Sequence, residues 1–196
     1  GNNADPISES LGSVIIDTIS PDLTQVTPIS TPSNDTTPSY VFTTSKSGIL
    51  TTNITQGFST SSSVITDSNQ TVTFNTLGSG TYSGKTITVT DAAGNATNLP
   101  IPEFIIDTTP PTVTDTTTVD GYYTVNDIIN ISLTFDKDVT ATDAKLNLSN
   151  GAETDTVTTT ASNSITFTYT VQESDTNTTN LSISSYDDEI KDLAGN

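Results

Sequence analysis

Three features of the sequence predict an all-β protein built from two similar units. Apolar residues alternate with polar ones in run after run, and nowhere does a 3.6-residue period persist, so the local structure reads as half-buried strands. Thr and Ser make up roughly a third of the chain; Thr suits a pleated surface, and Ser, Asn and Gly supply turns. Two short sequences also recur. Asp17-Thr-Ile-Ser-Pro21 returns as Asp107-Thr-Thr-Pro-Pro111, each time after Ile-Ile, and Asp91-Ala-Ala-Gly-Asn95 returns as Asp192-Leu-Ala-Gly-Asn196. A repeat of roughly 90 to 100 residues is the size of one small β-sandwich.

The elements follow in order. After a polar lead, a short strand is expected from Leu11 to Ile16. Beyond the first joint, Leu23 and Val26 open a new strand, and Pro38 to Thr44 carries Tyr40 and Phe42 on one face. Gly48 to Ile54 follows across a short loop, and Ser59 to Ser63 reads as loop or ragged edge. Val72 and Phe74 alternate in the next strand. Gly78-Ser-Gly80 then turns the chain into Tyr82, Ile87 and Val89, and Phe104, Ile105 and Ile106 form the last strand of the unit. In the second unit Val113 to Val119 comes first, and Ile129, Ile131, Leu133 and Phe135 alternate strictly. Leu146 and Leu148 lead to Asn150-Gly151, which predicts a two-residue hairpin turn of the primed type, with Val157 in the return strand. Ile165, Phe167, Tyr169 and Val171 alternate again, and Leu181, Ile183 and Tyr186 run to Ile190. Strand number and spacing fit two tandem immunoglobulin-like Greek-key sandwiches, 18–107 and 108–196.

The second unit stops at its turn, without the strand that follows Asp91 in the first. Residues 1–17 hold such a strand at the opposite end. A sandwich without a core strand leaves unpaired backbone groups and apolar side chains open. Leu11, Val14, Ile15 and Ile16 are therefore expected to complete the second unit of a neighbouring copy, joining copies head to tail.

Composition bounds the function. The formal charge is −18 with five Lys and no Arg, which argues against nucleic acid and suits cation binding and the solubility of a long extracellular polymer. No Cys is present, so no disulfide staples the fold. No apolar run is long enough to span a membrane, and the start at Gly1 without a signal peptide fits a processed chain or a piece of a longer one. Without His or Cys the usual catalytic base and thiol nucleophile are missing, and scattered acids such as Asp187-Asp188-Glu189 are expected by chance, so an enzyme is not expected. Period-2 Thr runs such as Thr86-Ile-Thr88-Val-Thr90 suggest ice or carbohydrate binding less well than they suggest the solvent face of a strand.

The Asp-Thr-Thr-Pro-Pro joint, the Asp-Ala-Ala-Gly-Asn turn and the run from Gly80 to Asp91 resemble bacterial Ig-like repeats of giant cell-surface adhesins. The second unit is similar to a related repeat through Tyr122, Asp127-Ile-Ile-Asn-Ile131, Phe135-Asp136 and the Asp192 turn. The resemblance covers nearly the whole chain. It implies an extracellular stalk, often with calcium at the joints, and says little about a particular receptor; a cell-surface or glycan receptor stands only among the partners to be considered.

In an immunoglobulin-type sandwich the loops after the second and sixth strands lie where the chain enters. Asp107 would then meet Asp136, Asp138 and Asp192, a hard oxygen set that suits Ca²⁺. The first unit offers Asp17 and Asp91, with Ser45-Lys46-Ser47 in place of the acids. Asx-turn bonding explains the turn aspartates without any metal. Asn-X-Ser/Thr acceptors stand at Asn34, Asn53, Asn69, Asn95, Asn130, Asn147, Asn177 and Asn180. A Lys–Asn crosslink is another device of such folds, but no lysine has a partner evident from the sequence. The combined expectation is a subunit or repeat of an extracellular filament, its partners copies of itself and its joints stiffened by calcium.

Overall fold

The computed structural model describes residues 14–66, 68–186 and 189–196. Among these there is no helix. The elements are β1 (Leu23–Thr27), β2 (Ser39–Thr44), β3 (Gly48–Thr52), β4 (Ser63–Val64), β5 (Gln70–Thr73), β6 (Gly80–Tyr82), β7 (Lys85–Thr90), β8 (Ala96–Ile101), β9 (Phe104–Ile106), β10 (Val113–Thr117), β11 (Ile128–Ala144), β12 (Leu146–Leu148), β13 (Val157–Thr170), β14 (Ile183–Tyr186) and β15 (Ile190–Asp192). Every pairing between them is antiparallel, as expected for strands that bury one face each.

The chain forms two compact units. Unit 1 takes in the described residues up to Ile29, Ser39–Asn75 and Gly84–Pro102; unit 2 takes in Ser30–Pro38, Thr76–Ser83 and Glu103–Asn196. The division is therefore not the single cut at 107/108 that the repeat suggests. Backbone bonds account for part of the difference: Ser33 bridges Ile106, and Asn34 N–H donates to Ala194 O, so the 30–38 segment belongs with the later residues.

In unit 1 one sheet has the order β1-β2-β5 and the other β4-β3-β7-β8. Alternation decides what is buried. Tyr40 and Phe42 on β2, Val72 on β5, Leu50 on β3 and Ile87 and Val89 on β7 are all buried, while the Thr residues between them face outward or sit half-exposed. Each such large side chain contributes about 1.5–3 kcal/mol on burial. Gly48 opens β3 because a Cβ there would lie 2.3 Å from the Thr90 carbonyl oxygen. The Ser59–Ser63 stretch leads into the two-residue β4. β8 fills the outer edge of β7 over its whole length, from Thr90 opposite Ala96 to Lys85 opposite Ile101, and also lies against β1.

In unit 2, β11 is the spine. Ile129, Ile131 and Leu133 stand opposite Tyr169, Phe167 and Ile165 of β13, all buried in one core. The segments around Val157 and Ile165 are one continuous strand, because the hydrophobic pattern lapses over Thr158–Ser164 where β13 is mostly exposed, while backbone pairing to β11 continues. On its other side β11 pairs first with β10, then with β15 over Val139–Ala141. Just beyond, β12 pairs with β14. The turn at Asn150-Gly151 differs from expectation. Gly151 N–H donates to Leu148 O and only Gly151 has positive φ (85°), so this is a type I turn closed by a left-handed glycine.

Candidate functional site

The two recurring motifs build the same side-chain cluster once in each unit. In unit 1 the Asp91 carboxylate accepts N–H bonds from Ala93 (3.0 Å) and Asn95 (2.9 Å), closing the Asp-Ala-Ala-Gly-Asn turn with Gly94 at φ 91°. In unit 2 Asp192 accepts from Ala194 (3.0 Å) and Asn196 (3.0 Å), with Gly195 also at φ 91°. Only glycine takes that backbone without strain. The terminal amide of each turn reaches the joint: Asn95 Nδ2 donates to Asp17 O at 3.1 Å, and Asn196 Nδ2 to Asp107 O at 2.8 Å. Each joint aspartate holds the N–H two residues on, Ile19 for Asp17 and Thr109 for Asp107.

At the centre of each cluster stands a lysine. Lys46 Nζ lies 2.7 Å from Asp17 Oδ2 and 2.9 Å from Asp91 Oδ2, and it also donates to the Ile19 carbonyl. Lys137 Nζ lies 2.8 Å from Asp107 Oδ2, 3.2 Å from Asp192 Oδ2 and 2.7 Å from Thr109 O. The turn aspartates are buried, whereas each lysine keeps about a quarter of its side chain exposed. The ammonium thus holds three acceptors that converge from the joint and the turn, a charge-assisted arrangement that ties the chain's entry into a unit to its last turn.

The charges respond to one another. The Lys46 ammonium, with the Asn95 amide and N–H, holds Asp91 down to about 2 against a desolvation that opposes it. Lys46 and the Ile19 N–H lower Asp17. Lys137 and the Thr109 N–H lower Asp107. For Asp192 burial is the largest influence and pushes upward, but the Asn196 bonds and Lys137 together outweigh it, and the net direction is down. Both lysines are raised, Lys46 by Asp17 and Asp91, and Lys137 by Asp107 and Asp192 against its own desolvation.

Of the residues put forward as calcium ligands, the structure brings together Asp17 with Asp91 and Asp107 with Asp192. Asp136 and Asp138 lie elsewhere. They flank Lys137 on β11, and strand alternation that aims Lys137 at the turn aims its neighbours away; Asp136 accepts from Thr112 N–H instead. Among the described residues no group of three or more acidic side chains is placed to hold a metal. The lysines are what the sequence reading missed. The signal was present: Lys46 follows Asp17 by 29 residues and Lys137 follows Asp107 by 30, each ahead of the Asp-X-X-Gly-Asn turn.

A second feature is an open edge. Among the described residues β14 pairs only with β12 and β15 only with β11, so no strand takes the position that β8 takes beside β7. β10 is exposed along its entire length, and Tyr186 on β14 is half-exposed. Of the expected donor strand, Leu11 lies outside the described residues. Val14, Ile15 and Ile16 are unpaired and 66, 85 and 86% exposed.

The glycosylation candidates divide by geometry. Asn53 bonds Gly84 O and Thr86 N–H, Asn34 bonds Gly195 O, Asn147 bonds Ser185 and Asn95 belongs to the Lys46 cluster. Asn69, Asn130, Asn177 and Asn180 are exposed. No protein-family model matches the chain, and no curated protein matches it.

Proposed function

We propose that this chain is a structural subunit of an extracellular filament, two immunoglobulin-like Greek-key sandwiches joined head to tail to further copies. The joint forms when the N-terminal segment of one copy adds to the open edge of unit 2 in the next. The observation that carries this reading is the run Val14–Ile16, unpaired and 66, 85 and 86% exposed just ahead of Asp17, with no described strand covering the β14–β15 edge. A bare strand edge invites another strand. Three large apolar side chains in a row at Val14–Ile16, all in water, supply a strand whose burial releases free energy. Within each unit the Lys46 and Lys137 ammonium groups tie the joint aspartate to the turn aspartate, and the prolines at Pro21, Pro110 and Pro111 favour a stiff connection. The strong negative charge keeps such a polymer dispersed.

One observation favours a second reading, a stalk repeat of a giant surface adhesin. Asp17 enters unit 1 through the same bonds by which Asp107 enters unit 2, which is the logic of a tandem array in one long chain. In that case the residues that fill the open edge follow in the same chain. Electron microscopy of the 196-residue chain and of a version without residues 1–17 tests both. Filaments from the first and none from the second support strand donation; isolated rods from both contradict it.

A further inference from the structure

Unit 2 contains its own example of how a joint and a turn are covered. Residues 31–34 lie beside the joint: Ser33 N–H donates to Ile105 O at 3.1 Å, Asp107 N–H donates to Ser33 O at 3.0 Å, and Ser33 bridges Ile106 in parallel. Ile105 N–H donates to Thr31 Oγ1 at 2.9 Å. Asn34 then covers the turn, its N–H donating to Ala194 O and its Nδ2 to Gly195 O, both at 3.0 Å. One short segment thus satisfies backbone groups of the joint and of the turn together. It does so from one edge only, since β9 pairs with β6 along the other.

Unit 1 has the same joint and turn without the cover. Asp17 and Asp91 repeat the bonds of Asp107 and Asp192, yet among the described residues no hydrogen bond reaches the N–H of Ile15 or Asp17, or the carbonyls of Ala93 and Gly94. Ile15 is 85% exposed where Ile105 is 38%. The covering segment also has a counterpart. Residues 31–34 stand between β1 and β2, the strand that leads to Lys46, and residues 119–123 stand between β10 and β11, the strand that carries Lys137. Among the described residues no hydrogen bond holds the backbone of residues 120–122, and Val119 and Tyr122 are 74 and 104% exposed. The base of this loop is fixed, since the Tyr123 hydroxyl donates to Val119 O and Asn126 N–H to Val171 O. An anchored loop that shows a tyrosine and a valine to water has the character of a contact surface. We propose, resting on the head-to-tail reading, that residues 119–123 of one copy lie along residues 15–17 of a second copy and cap the Ala93 and Gly94 carbonyls of its Asp91 turn. Tyr122 covers the apolar face that Ile15 leaves in water. Each copy carries both halves of the contact, one in each unit, so the association is heterologous and continues from copy to copy. The other edge of residues 14–16 stays free for the accepting strand, as the β9 edge beside β6 is in unit 2.

The chain has no Cys, so single substitutions report contact between copies. A Tyr122→Cys chain mixed with an Ala93→Cys chain should give a disulfide-linked mixed dimer under mild oxidation, at about ten times the yield of Tyr122→Cys mixed with Ile49→Cys, whose site on β3 is also exposed. Tyr122→Ser should raise the concentration needed for self-association about tenfold and leave the urea midpoint of the monomer unchanged, because Tyr122 is fully exposed there. Equal yields from the two mixtures, or self-association untouched by Tyr122→Ser, overturn the contact and leave the head-to-tail reading standing. A wild-type chain that stays monomeric, with no mixed dimer, overturns the second copy as occupant and the head-to-tail reading with it.

Discussion

Replacing Lys137 by Met removes the ammonium and keeps most of the side-chain volume. The Asp192 carboxylate is buried and Asp107 is about a third exposed, and both lose their nearest cation at 3.2 and 2.8 Å. Removing one member of a fully buried pair costs about 3–5 kcal/mol, and losing an exposed pair costs about 0–1 kcal/mol. With a quarter of Lys137 in water, the cost falls between these limits, at about 2–3 kcal/mol. For a slope of about 2 kcal/mol per molar urea, the midpoint for unit 2 should drop by about 1 M with the slope unchanged. Adding Asp192→Asn to Lys137→Met should recover part of the loss, because the amide oxygen still accepts from Ala194 and Asn196 while the buried charge is gone. A midpoint that moves by less than about 0.3 M would mean that the cluster is a surface pair of no consequence and that the turn stands on its own hydrogen bonds.

Four further expectations follow from the same geometry. Asp17, Asp91, Asp107 and Asp192 have lowered values in the folded protein, so their contribution is present above about pH 4 and lost as pH falls toward the folded value of about 2 for Asp91. The raised lysines contribute below their unfolded value, about 10.4, and lose it as pH climbs through the folded one; thermal melts across pH should therefore show a plateau between these limits. Chelation should leave the melting temperature unchanged, and a rise of several degrees on adding Ca²⁺ would instead place a metal at the clusters. Gly48→Ala should destabilise unit 1 by about 1–3 kcal/mol in urea titration, since its Cβ meets the Thr90 carbonyl. Ile16→Asp should leave urea unfolding of the unassembled chain unchanged, because Ile16 is exposed there, yet abolish filaments.

Where one physical rule decided the outcome, the sequence was legible. Alternation placed Tyr40 and Phe42 on one buried face and matched Ile129, Ile131 and Leu133 to the strand of Ile165, Phe167 and Tyr169. It could not show that β13 runs on through Thr158–Ser164, since an exposed strand segment carries no hydrophobic signal. The turn and joint aspartates stand out in the sequence because they recur, but nothing in the recurrence names Lys46 and Lys137 as the cations between them. Period 2 on β11 points Asp136 and Asp138 away from whatever Lys137 faces, so the residue between them was the one to follow. The 30–38 segment joins unit 2 through backbone bonds to Ile105, Asp107 and Ala194, which no side-chain pattern announces.

The most direct test of the account is negative-stain microscopy of the purified chain beside the Ile16→Asp chain, at equal concentration and with chelator present. Strand donation predicts long filaments from the first, with an axial repeat of two domains, and single short rods from the second. Filaments from both, or rods from both, would contradict it.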